Sequence, residues 1–288
     1  MTSNSDSSSH GALRFDVTQF FEFKVKNWVF PSSQGLTIVR MRANDENLID
    51  VPEVTLRIPG SWSGPEEFAE RLPRGCDLTS DRLVLADGSS YELNALPADQ
   101  EFAGVFASSC TKLPSETERK AIEDYKVNVC VTGRGGSIAA ATELMAAGAA
   151  VIAAGGAGVF VDNSGIAHGA SDWLTLRESA DSGGVYWAFV STVRANEELY
   201  SVGMHILGFR EAIIPLTGND EFDYRTLHSF LGYTAFSGNT LHEGEVVGDP
   251  VLPTFIVHSE PYDRFPEHAP MYNPYGQWRL TPFNSELN

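Results

Sequence analysis

The sequence predicts an α+β protein: an antiparallel N-terminal module followed by a ferredoxin-like βαββαβ sandwich with one inserted helix. Three observations carry this expectation. Before Cys110 apolar and polar residues alternate at period two, and after Lys126 short strand-like runs alternate with longer helical ones. Between them lies the helix-start signature Ser115-Glu116-Thr117-Glu118. The implied plan is a disordered leader over 1–12, a mainly antiparallel β module over 13–112, an α+β domain over 113–258 and an extended tail rich in proline and aromatics over 259–288.

In the first module Phe21, Phe23 and Val25 alternate with Glu22, Lys24 and Lys26, and Val54, Leu56 and Ile58 alternate with Thr55 and Arg57, as half-buried strands do. Ser32-Ser33-Gln34-Gly35 and Asp87-Gly88 mark hairpin turns. A short helix is expected over 65–72, because Pro65 suits a first helical position and Glu66 and Glu67 complement the helix dipole. The capping box then opens a polar helix to about Tyr125.

Beyond it the reading is strand 127–131, helix 137–153, strand 158–161, helix 171–178 and strand 185–191. An extended region over 200–215 breaks at Gly208, and a helix over 224–236 and a strand over 253–257 follow. With Val127 opening the first strand, this order approximates βαββαβ with one extra helix. The tail, with Pro266, Pro270, Tyr272, Pro274, Tyr275 and Trp278, is expected to lie extended against the body.

Charge narrows the partners. The 288 residues carry 38 acids against 20 bases, a formal net charge of -18. All five lysines (Lys24, Lys26, Lys112, Lys120, Lys126) precede residue 127, leaving seven arginines among 18 acids thereafter. Nucleic-acid affinity rests on cationic side chains neutralising phosphates, so nucleic acid and anionic membrane surfaces are excluded as expected partners. Schiff-base and P-loop lysine chemistry is excluded after Lys126. Cys76, Cys110 and Cys130 are spaced by 34 and 20 residues, giving no CxxC pair and no even disulfide set, which fits a reducing cytoplasm. The Ser- and Asn-rich start has no basic and apolar signal-peptide regions, and the alanine-rich 138–157 stretch, interrupted by Glu143 and three glycines, reads as a buried helix rather than a membrane span.

The run from Ala146 to His168, reading AAGAAVIAAGGAGVFVDNSGIAH, with Asp172-Trp173-Leu174 after it and the later run from Ser201 to Glu211, SVGMHILGFRE, resembles the bacterial family called domain of unknown function 4261. The resemblance covers roughly residues 105–258. It implies no catalytic residue.

Three candidate sites follow from residue chemistry. Gly133-Arg134-Gly135-Gly136-Ser137 lies between a strand and a helix, where free amides and the helix dipole hold phosphates, and Asp162 ends the next strand as a ribose-binding acid would. A dinucleotide fingerprint would put its third glycine where Ile138 stands, so the competing reading is a tight turn that lets an alanine helix pack closely on a sheet. Ser137 also sits as in a nucleophile elbow, with His168, His205, His228, His242 or His258 available as a base, although Ala139 replaces the last glycine; a helix-capping role is the simpler one. His242, Glu243, Glu245, Asp249, His258 and Glu260 form the third set, with His242, His258 and Glu260 the metal alternative to solvated loop and edge residues.

The functional expectation is a cytoplasmic binding or protein-interaction module without catalytic activity or cofactor, taking a protein or small-molecule ligand. The alternative is an enzyme or sensor binding a phosphorylated ligand or nucleotide at the turn formed by 133–137.

Overall fold

The computed structural model describes residues 51–180, 183–249 and 252–283. The leader and the expected strands around Phe21 and residues 37–41 lie outside the described residues.

Strand β1 (Glu53–Gly60) buries Val54, Leu56 and Ile58, as its alternation requires. Helix α1 (Pro65–Arg71) starts on Pro65 and carries Glu66 and Glu67 in its first turn. Strands β2 (Asp77–Leu78), β3 (Arg82–Val84) and β4 (Ser90–Pro97) form a meander, followed by helix α2 (Phe102–Ser108). Ser115 begins helix α3 (Glu116–Glu123) with the full reciprocal capping box: its hydroxyl accepts from the Glu118 amide, and the Glu118 carboxylate accepts from the Ser115 amide.

Strand β5 (Val127–Arg134), helix α4 (Ile138–Ala153), strands β6 (Gly158–Val161) and β7 (Ile166–Gly169) and helices α5 (Ala170–Glu178) and α6 (Gly184–Phe189) come next. The first sheet is antiparallel throughout, in the order β2-β3-β4-β5-β1-β6-β7. Helix α4 packs on β5 and β1 through small residues, and Gly148 lets the Trp173 ring approach so closely that a Cβ there would sit 3.0 Å from its Nε1. The Trp173 indole then donates to the Met145 carbonyl at 3.2 Å, which fixes α5 against α4.

The second sheet contains β8 (Ser191–Ala195), β9 (Glu198–Val202), β10 (Glu211–Pro215), β11 (Val246–Asp249), β12 (Leu252–Glu260) and β13 (Gln277–Pro282). Its order is β11-β12-β13-β10-β9-β8, with only the β10–β13 pair parallel. A 3-10 turn (Met204–Leu207) joins β9 to β10, and helix α7 (Asp220–Phe236), capped by the Asn219 side chain on the Phe222 amide, packs over β9 and β10. One apolar core runs from Val54 in the first sheet to Leu280 in the second.

The α+β class is therefore present, whereas the arrangement differs from the expected one in four places. Strands β1 and β4, from before the expected boundary at 112/113, flank β5 from after it, with Leu56 opposite Val131 and Leu93 opposite Val131. The boundary thus cuts through a sheet, because alternation within a strand does not say which strand pairs with which. Residues 113–258 also do not close a four-stranded ferredoxin-like sheet: β5 and β6 run parallel with β1 between them, and the strand after α6 joins the other sheet.

Residues 184–189 are helical rather than extended: Gly184, Val185, Tyr186, Ala188 and Phe189 are all buried while Trp187 faces out, without the alternation of a half-buried strand. The tail does more than lie against the body: β13 fills the middle of the second sheet between β12 and β10. Among the described residues no helix is long and apolar enough to cross a membrane.

Candidate functional site

The turn after β5 is packed from both sides. The Gly135 amide donates to the Pro52 carbonyl at 2.8 Å and the Gly136 amide to the Ile206 carbonyl at 2.9 Å. The Ser137 hydroxyl accepts from the Ala140 amide at 3.1 Å, capping α4. A Cβ on Gly135 would lie 2.7 Å from Val54, and Gly136, at φ +78°, would bring one to 2.9 Å from the Tyr275 hydroxyl. Two amides that a phosphate would need are thus engaged by carbonyls. Gly133 lies against Tyr91 and Leu144, and Arg134 is exposed at the strand end opposite Glu53. Asp162 is buried and takes the Arg57 Nε–H at 2.8 and 2.9 Å on its two oxygens, so the structure gives the acid a cation rather than a ribose.

His168 and His205 are likewise engaged. His168 is buried with Nδ1 2.9 Å from Asp172 and Nε2 3.1 Å from the Ala188 carbonyl, and its hydrogen bond holds the Asp172 carboxyl below the usual range. His205 and Glu211 are fully buried: Glu211 accepts from the Ser201 hydroxyl at 2.6 Å, the Gly203 amide at 3.0 Å and Asn273 at 3.0 Å. His205 Nε2 faces the Pro270 carbonyl at 3.1 Å, and Asn163 donates to the same carbonyl at 2.9 Å. This network ties the 262–276 segment to both sheets. Burial pushes the Cys110 and Cys130 thiols up to about 12, so both are inert thiols rather than nucleophiles, and all three cysteines are free.

The metal set does not converge. His258 is bound by Glu243 at 3.0 Å and Thr281 at 3.1 Å, Glu260 pairs with Arg279 at 2.8 Å, and the exposed His242 meets Glu245 through its own amide at 3.0 Å. Among the described residues no group of three or more histidine, cysteine, aspartate or glutamate side chains could hold a metal ion.

His228, on α7, has a different setting. Its Nδ1 lies 2.5 Å from the Tyr186 hydroxyl, and its ring sits tilted between those of Tyr224 and Trp187, with centroids at 4.0 and 4.8 Å. Burial among these rings lowers its pKa to about 4 and leaves Nε2 without a partner among the described residues.

On the opposite flank of α7 a cleft of about 280 Å³ opens toward β11. Phe230, Phe255 and Leu280 form its buried floor. Thr226, Ser229 and Tyr233 line the helix side, and Glu245 and Val246 the strand side. Thr226 is 4 % exposed and its hydroxyl has no partner among the described residues. Glu245 is the one residue here within the histidine and carboxylate set that the sequence singled out; the helical spacing of Thr226, Phe230 and Tyr233 was the remaining signal, since i, i+4, i+7 residues share a face. Comparison of the chain with protein-family models, curated proteins and solved structures gives no match.

Proposed function

We propose that this chain is a binding module without catalytic activity of its own, and that the cleft between α7 and β11 takes the ligand. The observation that carries this reading is a buried apolar floor of Phe230, Phe255 and Leu280 rimmed by the exposed Ser229 and Glu245 side chains. Recognition sites join apolar surface to a few placed polar groups. The lining supplies hydroxyls, one carboxylate and apolar surface, the means of recognition rather than of proton relay. Free thiols suit the reducing cytoplasm that this reading adopts, and the acidic surface argues against nucleic acid as partner. The family resemblance over 105–258 is part of the same proposal.

Indole serves as a probe. Millimolar indole is expected to raise the melting temperature of the wild-type chain, and Ser229→Phe, which fills the cleft from the exposed helix side, is expected to abolish that rise. An unchanged melting temperature in wild type, or an equal rise in the variant, would contradict the assignment.

A further inference from the structure

Resting on the reading of the cleft as the binding surface, we infer that its occupant is an extended peptide, which adds a strand to β11 and places an apolar side chain in the cleft and a lysine or arginine beside Glu245.

Size favours a side chain over a free small molecule. The cleft, about 280 Å³, falls just below the roughly 300–1,000 Å³ of drug-sized pockets and well above the roughly 150 Å³ cavity that accommodates benzene. One large side chain fits with room for part of its neighbour.

The backbone beside the cleft supplies the second argument. Among the described residues strand β11 ends its sheet, with β12 on one side only. The Val257 amide donates to the Glu245 carbonyl and its carbonyl accepts from Gly244, which puts the bonding positions of the ladder at Val247 opposite Phe255. Val246, in between, turns its own N–H and C=O off the sheet, and its side chain is 51 % exposed. An exposed edge with an apolar residue is a template for another strand. Alternation along an added strand lets one side chain in two face the cleft.

Charge chooses the flanking residues. Glu245 is the only charged residue lining the cleft; its carboxylate accepts the His242 amide at 3.0 Å and has no cationic partner among the described residues. The chain carries a net charge of -18, so an acidic peptide is repelled and a basic one steered in.

The probe is the synthetic peptide Lys-Thr-Val-Leu-Val-Thr-Lys, read by fluorescence polarisation, with three companions: glutamate for both lysines, alanine for leucine, and alternate N-methylated amides that keep every side chain. Wild-type protein is expected to bind the parent at least 10-fold more tightly than the N-methylated peptide, since lost backbone bonds weaken strand addition. It should prefer lysine to glutamate about 5-fold at low salt, and Glu245→Lys should reverse that preference.

Val246→Pro removes an outward amide and is expected to weaken the parent peptide alone; its melting temperature reports whether it folds, and the N-methylated peptide asks the same question of the unaltered protein. Equal binding of parent and N-methylated peptides would overturn strand addition, and an unchanged charge preference in Glu245→Lys would overturn the role of Glu245. If no peptide binds while indole still enters, the peptide inference fails and the cleft reading stands; if neither binds, both fail.

Discussion

Replacing His228 with asparagine removes a titrating ring while keeping a hydrogen-bonding group for the Tyr186 hydroxyl, and it isolates the pH dependence built into the α6–α7 contact. The folded state holds His228 at about 4 against its ordinary 6.5, through burial between Tyr224 and Trp187. The folded chain therefore keeps the ring neutral at pH values where the unfolded chain binds a proton.

Above pH 6.5 both states are neutral and the ring leaves stability independent of pH; as pH falls from 6.5 toward 4 the unfolded state gains protons first and stability is lost. At about 1.4 kcal/mol per pH unit, the difference reaches about 2–3 kcal/mol by pH 4.5. Urea unfolding of both proteins at pH 7.5, 6.0, 5.0 and 4.5 measures it. The variant is expected to be less stable at pH 7.5, having lost the ring packed between Tyr224 and Trp187, and the wild type to lose about 2–3 kcal/mol more than the variant on acidification. Parallel curves would show that burial does not hold the ring neutral.

Gly135→Val is expected to lower stability by about 1–3 kcal/mol in urea unfolding, because its Cβ would lie 2.7 Å from Val54 and crowd the Pro52 carbonyl. Arg134→Ala, at an exposed strand end, should change stability by less than about 0.5 kcal/mol and leave any nucleotide-dependent melting shift unaltered. Glu211→Ala is expected to cost about 3–5 kcal/mol, since it leaves the Ser201, Gly203, His205 and Asn273 groups facing an empty position; limited proteolysis should then cut first within 262–276. Gel-shift titration with DNA and RNA at physiological salt should detect no submicromolar complex.

Local order was legible wherever one residue type settles a local question. The capping box at Ser115 and Glu118, the proline start of α1, the Asp87-Gly88 turn and helix α4 follow from side-chain chemistry within a few residues. Pairing was not, because the partners of β5 lie about 30–80 residues upstream and apolar alternation is the same whichever strand sits beside it. Helix α6 was misjudged because six residues hold fewer than two turns of periodicity.

Of the candidate sites, the glycine turn was legible as a motif, but whether its amides are free depends on Pro52 and Ile206, distant in sequence. The cleft needed α7 and β11 side by side, and only Glu245 among its lining residues carried a signal of its own.

The central claim, that ligand enters between α7 and β11, is tested most directly by mapping amide shifts of isotope-labelled full-length protein during titration with the leucine peptide and, separately, with ATP. The account predicts saturable shifts with the peptide at Thr226, Phe230, Tyr233, Val246 and Gly248, and none with ATP at Gly135, Gly136 or Ser137. Peptide shifts that cluster away from α7 and β11, or saturable ATP shifts at the glycine turn, would contradict it.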